Sequence, residues 1–153
     1  MLSIRIICVG KLKEKYYTDA VNEYLKRLSG YCKPEIVEIA EHASQANNAL
    51  DKERADIEAR IPAGAMVVAL CVEGIAQDSK EFSQMLSEFA VKGISRLCFI
   101  IGGSRGLHDE IKAKAGIKLS LSKMTFPHHL ARVILLEQLY RALNIESGGK
   151  YHK

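Results

Sequence analysis

The feature that most constrains the fold of this chain is a series of five short β-prone runs separated by longer stretches of helical character. The runs are LSIRIICV, EIVEIA, AMVVALCV, RLCFII and KLSLS. The first, third and fourth are almost continuously apolar, which is typical of strands that are buried on both faces. Strands of that kind form parallel sheets joined by helical crossovers. The sequence therefore predicts an α/β fold with a mostly parallel sheet.

The stretches between the runs supply the helices of this fold. TDAVNEYLKRLSG and DSKEFSQMLSEFAVKG each end on a glycine suited to a helix C-terminus, and the second begins with an aspartate that can cap it. The charged segment SQANNALDKERADIEARIP predicts a solvated helix. At 153 residues, of which 48% are hydrophobic, the chain can bury one sizeable core. Because no linker, repeat or low-complexity tract divides it, we expect one domain over 1–153 with no separate recognition domain.

Charge and cysteine content narrow the class of protein. A formal net charge of +4 suits a polyanionic partner, and it also suits many ordinary cytosolic enzymes. The four cysteines form no CxxC pair, and Cys8, Cys71 and Cys98 lie inside apolar runs, which favours buried reduced thiols over disulfides or metal ligands. The apolar stretch at the start is too short for a signal peptide, and no run approaches the length of a membrane span. We therefore expect a cytoplasmic protein with no membrane partner and no bound metal.

Three loops after the predicted strands are candidate ligand-binding segments, because ligands of open parallel sheets bind beyond the carboxyl ends of the strands. They cover residues 70–74, 101–106 and 119–126. In the second, IGGSRG, the glycines let a ligand approach backbone N–H groups. It matches neither GxGxxG nor the phosphate-loop pattern GxxxxGKS/T, and the lysine-rich turn after Gly10 also lacks the phosphate-loop spacing. A tight turn and a ligand-binding loop both remain open for this segment.

The last predicted helix starts at Pro127, whose missing N–H fits the first turn of a helix. Its apolar residues span an arc of roughly 180°, which is wider than the stripe that one core requires. They are Val133, Leu135, Leu136, Leu139, Tyr140 and Leu143. This width predicts a second burying surface, most simply a second copy of the chain in a homodimer. On the opposite side, Glu137, Gln138 and Arg141 are predicted to form a solvated face with an i,i+4 ion pair.

Arg132 falls near the middle of that apolar arc, so its charge requires a partner. On the residues alone, a buried structural ion pair is favoured over a role in a site. His128 and His129 stand at the start of the same helix, where a polar surface position is the simplest interpretation. No Cys, Asp or further His lies at the helical spacing of a metal site. The final residues, GKYHK, fit either a frayed terminus or a grip on an unstacked nucleotide base.

Four segments together resemble one known family: VGKLKEKYY near the start, FIIGGSRGLH, LSLSKMTFPHHLARVILLEQLYRA and the terminal YHK. They are similar, over essentially the full length, to the RlmH-type ribosomal RNA methyltransferases of the SPOUT class. The resemblance implies a parallel α/β sheet with a deep C-terminal trefoil knot, a homodimer, and S-adenosylmethionine bound in the knot. It also implies methylation at N3 of pseudouridine 1915 in helix 69 of 23S ribosomal RNA. Because no separate RNA-binding domain is expected, the substrate is expected to be the assembled 70S ribosome.

The same resemblance implies the site residues. The implied cofactor-binding residues belong to the knot loops and are Leu70, Gly102, Leu121, Ser122, Lys123, Met124, Thr125 and Phe126. Apolar side chains there would sandwich the adenine while backbone groups bond its edge. The implied catalytic residues are His128, Arg132, Tyr151 and His152, and His128, His152 or water would accept the proton of the substrate nitrogen. His129 and Lys153 depart from the residues that are common in the family.

Two other functions also fit the sequence. One is an α/β enzyme that uses a different nucleotide-like cofactor, and the other is a catalytically silent module that binds the ribosome. Calorimetry with S-adenosylmethionine separates the first from the implied function. A methyl-transfer assay on ribosomes that lack the modification separates the second.

Overall fold

The computed structural model describes residues 1–42 and 48–153. In that part of the chain, strands and helices alternate in the order β1 (Ser3–Val9), α1 (Lys15–Leu28), β2 (Lys33–Ile39), α2 (Ala49–Glu58), β3 (Met66–Ala76), α3 (Ser79–Val91), β4 (Arg96–Ile101), α4 (Asp109–Lys114), β5 (Ile117–Ser120) and α5 (His128–Glu146). All five predicted strands are present, which confirms the α/β class. The short α4 was not predicted. The predicted charged helix over 44–62 is present as α2, and its first residues, 44–47, lie outside the described residues.

The strands form a parallel sheet in the order β2-β1-β4-β3-β5. Each neighbouring pair is parallel; Ile6 of β1, for example, pairs with Ile36 of β2 and with Phe99 of β4. The predicted parallel sheet is therefore confirmed. In such a sheet the carboxyl ends of all strands lie at one edge, so the loops that follow the strands meet there.

Helices cover both faces of the sheet, which is why the central strands are apolar along their whole length. On one face, Ile6 and Cys8 of β1 pack with residues of α1, α3 and α5. On the other face, Ile7 and Val9 pack with residues of α2 and α4. Successive side chains of a strand point to opposite faces, so a strand between two helical layers buries every residue.

α5 lies against α1 and α3 on the first of these faces. Its Leu135, Leu136 and Leu139 are fully buried within the single chain, and Val133 and Tyr140 are partly buried against the same core. The wide apolar arc is thus covered by two helices and the sheet. The width of this arc therefore does not by itself require a second copy, because a helix that packs between two others needs a broad apolar stripe, and the predicted homodimer stays a prediction.

The cysteines are free thiols, and Cys8, Cys32 and Cys98 are buried. Burial raises the pKa of the Cys8 and Cys98 thiols to about 12 and that of Cys32 to about 11. These sulfurs therefore stay protonated at neutral pH, as expected for structural thiols. Cys71 is only partly buried. Over the described residues, no helix combines the length and the hydrophobicity that crossing a membrane requires.

Replacing Leu139 by alanine should lower the free energy of unfolding by about 2–5 kcal/mol, the usual cost of truncating a fully buried leucine. Urea denaturation followed by circular dichroism measures this change. Val91→Ala is the control, because Val91 is 86% exposed and should change stability by about 0.5 kcal/mol or less. A loss at Leu139 that grew on dilution of the protein would contradict burial within one chain and place this leucine against a second copy.

Candidate functional site

A cavity of about 620 Å³ opens at the carboxyl edge of the sheet. Its walls come from an irregular part of β3, from the loops after β4 and β5, from Lys112 of α4 and from the first turn of α5. The residues that line it are 70–73, 101–104, 106, 107, 112, 120–122, 124–128 and 131. The volume is in the range of small-molecule and cofactor sites. The carboxyl ends of the strands are also where the sequence predicts ligand-binding loops.

The first wall is built by an interruption of strand pairing within β3, because residues 70–74, which the sequence predicts as a loop after the strand, belong to the strand itself. Leu70 and Ile75 both pair with Leu119 of β5, so the residues between them loop out of the ladder. Gly74 permits this arrangement, because a Cβ at that position would lie 2.7 Å from the backbone of Leu119. The looped-out residues 71–73 line the cavity.

The wall after β4 is a tight turn in which backbone packs against backbone. The Gly106 N–H donates to the Gly103 carbonyl at 3.0 Å. A Cβ on Gly102 would overlap the carbonyl of Gly106, so a side chain at this position would displace the turn. The segment is therefore a tight turn that also lines the cavity, and the two interpretations left open by the sequence are compatible.

The wall after β5 is a short segment that is held by its own hydroxyls. Ser120 Oγ donates to the Ser122 carbonyl at 2.9 Å, and the Met124 N–H donates to Ser122 Oγ at 3.0 Å. The segment ends at Pro127, which occupies the N-cap position, so α5 begins at His128, one residue later than predicted. The serines of this stretch therefore shape the backbone of the wall.

Seven of the eight residues predicted to bind the cofactor line this one cavity. They are Leu70, Gly102, Leu121, Ser122, Met124, Thr125 and Phe126. The eighth, Lys123, is exposed and does not line it. The structure thus brings the predicted set together across three loops, and the cofactor-binding role of these residues stays a prediction.

An ion pair that was not predicted also lines the cavity. Lys112 of α4 donates to Glu73 Oε1 at 2.6 Å. This hydrogen bond raises the pKa of Lys112 and lowers the pKa of Glu73. Both groups therefore stay charged at neutral pH. The sequence carried no signal for the pair, since its members are 39 positions apart and α4 itself was not predicted.

His128 lines the cavity at the start of α5. Its Nε2 atom lies 3.5 Å from Glu41 Oε2, and its ring stands 4.3 Å from the ring of His129. Burial lowers the pKa of His129, and the nearby His128 and Arg132 lower it further. Both histidines are half-buried, so they lie at the surface as predicted but are packed against their neighbours.

Arg132 lies one turn further along α5 and is only 1% exposed. Its Nη1 donates to Glu38 Oε2 at 2.5 Å, and its Nη2 donates to the Gly10 carbonyl at 3.0 Å. The buried ion pair predicted from the sequence is therefore present. Burial opposes ionisation of Glu38, but hydrogen bonds from Arg132 and from the Leu12 N–H outweigh it and lower the pKa of the carboxyl. Arg132 does not line the cavity.

The C-terminal residues fold back onto α5. The Tyr151 hydroxyl donates to Glu137 Oε2 at 2.8 Å, while Arg141 lies over the Tyr151 ring at 4.7 Å and contacts His152 Nδ1 at 3.1 Å. Burial and the bond to Glu137 raise the pKa of Tyr151 to about 12. A frayed end was therefore the wrong interpretation for these two residues. The predicted pair of Glu137 and Arg141 is present at 2.7 Å, but its face, with Gln138, is half-buried and not solvated.

Within one chain, the four predicted catalytic residues do not meet. His128 lines the cavity, and Arg132 anchors α5 behind it. Tyr151 is bonded to Glu137, which lies about 13 Å beyond His128 along the helix axis. Among the described residues, no group of three or more His, Cys, Asp or Glu side chains could hold a metal ion. The cavity thus offers apolar walls, main-chain turns, one imidazole and one ion pair, which suits a nucleotide-like ligand and proton transfer at its rim.

Comparison with known proteins places these features in a family. A family model described as predicted SPOUT methyltransferase matches residues 2–152. A protein of Clostridioides difficile named ribosomal RNA large subunit methyltransferase H is 45% identical, over 99% of this chain and 100% of the relative. The protein of the same name from Streptococcus uberis is 46% identical over the same shares. The resemblance noted from the sequence is confirmed.

A solved structure gives independent support for the fold. A probable methylase family protein from Haemophilus influenzae Rd KW20 superimposes with a TM-score of 0.59. The match covers 98% of this chain and 70% of that chain at 11% sequence identity. At this identity the likeness concerns the fold alone.

Glu38→Gln should lower the free energy of unfolding at pH 7 by about 3 kcal/mol, because it leaves the buried Arg132 guanidinium without its carboxylate. Since the pKa of Glu38 is lowered in the folded protein, the ion pair stabilises the fold above the ordinary carboxyl pKa of about 4.3 and is lost as pH falls below it. The difference between wild type and variant should therefore shrink on acidification.

Urea denaturation from pH 7 to pH 3 measures this difference. Glu35→Gln is the matched control, because Glu35 lies on the same strand in an exposed pair with Arg5 and should change stability by about 1 kcal/mol or less. A Glu38→Gln variant as stable as this control at pH 7 would contradict the role of the ion pair.

Proposed function

The chain belongs to the SPOUT methyltransferase family, and we propose that it transfers a methyl group from S-adenosylmethionine to 23S ribosomal RNA. The observation that carries the proposal is the cavity at the carboxyl edge of the sheet, where the residues implied for cofactor binding converge. The relatives that align with the whole chain are named ribosomal RNA large subunit methyltransferase H, and this supports ribosomal RNA as the substrate.

The cavity suits S-adenosylmethionine, the methyl donor of SPOUT methyltransferases. Leu70, Leu121 and Phe126 supply apolar surface for a purine ring, and the turns at 102–106 and 120–124 bring main chain to the same space. When bound, the cofactor supplies a methyl group on a positively charged sulfur. A nucleophilic nitrogen can attack this methyl group, and the sulfur is the leaving group. The protein contributes by holding the methyl donor and the acceptor nitrogen in the reactive geometry.

We propose that the backbone forms a deep trefoil knot at this cavity. At the end of the edge strand β5, the segment 120–127 lies with the irregular part of β3 and the loop that follows β4 around the cavity, and α5 then packs on α1 and α3. From there Arg132 contacts the ends of β1 and β2, the two strands at the edge of the sheet opposite to β5. The chain thus leaves the sheet at its β5 edge and is anchored again at the β1 and β2 edge. This path supports a chain threaded through its own loops, an arrangement that most folds avoid.

We propose that the acceptor is N3 of pseudouridine 1915 in helix 69, within the assembled 70S ribosome. The chain carries a formal net charge of +4. Lys11 and Lys13 are exposed in the loop after β1, at the carboxyl edge of the sheet, and Lys123 is exposed in the loop after β5. Cations at that edge suit the phosphates of a folded RNA.

We propose that the active form is a homodimer. The tail, residues 151–153, lies along the α5 of its own chain and away from the cavity of that chain. Within one chain, the residues implied for catalysis therefore cannot all contact one nucleotide. A second copy with its tail beside the cavity would bring Tyr151 and His152 to the rim where His128 lies. An aromatic ring next to cations is suited to hold an unstacked base.

Calorimetry with S-adenosylmethionine and methyl transfer to ribosomes that lack this methyl group test the proposal together. We expect the cofactor to bind and to stabilise the fold by about 2.7 kcal/mol at a hundredfold excess over its dissociation constant. Ala131→Leu adds volume to the cavity wall and should weaken binding about tenfold or more. Ala113→Leu, on the exposed side of α4, is the matched control and should bind normally.

Each failure has a separate meaning. A melting temperature that does not respond to saturating S-adenosylmethionine would favour an enzyme with a different cofactor. Cofactor binding without methyl transfer to ribosomes would contradict the enzymatic assignment and favour a silent module.

Variants of Tyr151 test the role of the tail. Tyr151→Ala should slow single-turnover methylation of ribosomes about tenfold or more, since a stacked base contributes roughly 1–3 kcal/mol. Tyr151→Phe should keep most of the rate. Both variants lose the hydroxyl bond to Glu137, about 1 kcal/mol of stability, so Tyr151→Phe controls for that loss. Equal rates for wild type and Tyr151→Ala would assign the RNA contact to another part of the molecule.

A mixed dimer separates action within one chain from action across two. A chain without residues 151–153 and an Ala131→Leu chain, each assayed alone with the cofactor below its dissociation constant, should both be about tenfold or more slower than the wild type. After subunit exchange, about one quarter of the sites should combine an intact cavity with an intact partner tail and recover activity. A mixture that exchanges subunits and stays as slow as either chain alone would contradict the composite site.

A further inference from the structure

A carboxylate that the proposed function does not use stands next to the cavity. Glu41 follows β2, and its Oε2 atom lies 3.5 Å from His128 Nε2. Its other oxygen accepts a hydrogen bond from Ser104 Oγ at 3.3 Å. His128 and Ser104 both line the cavity, whereas Glu41 does not. The carboxylate therefore contacts two lining residues from outside the cavity.

Two glycines make room for this carboxylate. A Cβ on Gly103 would lie 2.6 Å from Glu41 Oε2. A Cβ on Gly10 would lie 3.5 Å from the same oxygen and 3.2 Å from His128 Nε2. Gly10 also has a φ of +100°, a conformation that other residues rarely adopt. The loops after β1 and β4 are thus shaped so that the carboxylate and the imidazole can meet.

His128 is the group in the cavity that can take up a proton. Among the described lining residues, Glu73 is already bound by Lys112. Burial raises the pKa of the Cys71 thiol, so it stays protonated at neutral pH. His152, the other imidazole of the predicted catalytic set, contacts Arg141 in the second half of α5.

The other charged and titratable groups near His128 leave Glu41 as its carboxylate partner. His129 packs against the ring from the same helix, and burial lowers the pKa of His129, which keeps it neutral. Glu14, before α1, lies 3.9 Å from His129 Nδ1. Arg132 is engaged in its own buried ion pair. Among these groups, Glu41 is thus the carboxylate that stands next to the His128 ring.

We propose that Glu41 is a positioning residue that holds His128 as the base for the nitrogen that is methylated. The inference rests on the proposed function, because it needs a nucleotide nitrogen that carries an imino proton. The carboxylate accepts the Nε2–H of the neutral ring, which leaves the lone pair of Nδ1 as the proton acceptor. Ser104 fixes the carboxylate through its second oxygen.

In the step assigned to this pair, the imino N–H bond breaks and its electron pair stays on the nitrogen, which becomes the nucleophile. The proton moves to Nδ1 of His128, and the resulting imidazolium faces the negative charge of Glu41. Water takes the proton afterwards, and the ring returns to its neutral form. A carboxylate behind an imidazole acts in this way by fixing the tautomer and stabilising the imidazolium.

Single-turnover methylation of ribosomes over a range of pH tests the assignment. We expect His128→Gln to slow the reaction about a hundredfold or more and Glu41→Gln about tenfold, with Glu41→Asp between Glu41→Gln and wild type. The acidic limb of the rate profile should move to lower pH in Glu41→Gln, because the protonated ring has lost its carboxylate. Glu14→Gln makes the same chemical change beside the neighbouring His129 and should leave rate and profile unchanged.

Long-range nitrogen NMR reports the tautomer of His128 without any methyl transfer. The wild type should hold the Nε2–H form, and Glu41→Gln should populate both tautomers. Ser104→Ala removes only the hydrogen bond from Ser104 to the second carboxylate oxygen, so it should slow the reaction by a smaller factor than Glu41→Gln. If Glu41→Gln does not fold, Ser104→Ala is the variant that tests the proposal.

The outcomes separate this inference from the function on which it rests. An active wild type in which Glu41→Gln changes neither the tautomer nor the pH profile would overturn the role of Glu41 alone. A wild type that holds the Nε2–H tautomer but transfers no methyl group to ribosomes would instead overturn the proposed function.

Discussion

The position of every candidate residue on α5 depends on the buried contact between Arg132 and the ends of two strands. Its guanidinium donates to Glu38 near the end of β2 and to the Gly10 carbonyl after β1. This contact ties the first turns of α5 to the carboxyl edge of the sheet, beside the loops that line the cavity. A buried ion pair adds little net stability, because desolvation of the charges offsets their attraction. Its effect is to fix one placement of α5, since any other would leave a buried guanidinium without a partner.

A second constraint at the same edge is the close approach of main chain to main chain. Gly74 lies against the backbone of Leu119, and Gly102 lies against Gly106. These loops can pack together only where side chains are absent. A cavity enclosed by such loops offers main-chain groups and a few apolar side chains, which suits a flat uncharged base. This explains why the glycines are present although neither common nucleotide-loop pattern is.

Much of the fold could be predicted from the sequence, because strands buried on both faces leave long apolar runs, and Asp78 caps α3 as predicted. The six-residue α4 is too short to show a helical period. The partner of Arg132 could not be predicted, because it lies 94 positions away and only the strand order brings it near. The segments that line the cavity could be predicted from the ends of the strands and their cofactor-binding residues from family resemblance, whereas the contact of Glu41 depends on how separate loops meet. Periodicity could not say what covers the apolar side of α5, since it reports how much of a helix is buried and not which neighbour buries it.

The length of α5 separates the two parts of the candidate site. Its 19 residues span about 28 Å. His128 lies at the cavity at its start, whereas Glu137 and Arg141, which contact the C-terminal residues, lie in its second half. A base within hydrogen-bond reach of His128 cannot also stack on Tyr151 of the same chain in this arrangement. Arg132 anchors the first turns of α5 at the carboxyl edge of the sheet. For His128 and Tyr151 to act on one base, as we propose, either the tail undocks or a second copy supplies it, and only the second route keeps Tyr151 packed against Tyr140.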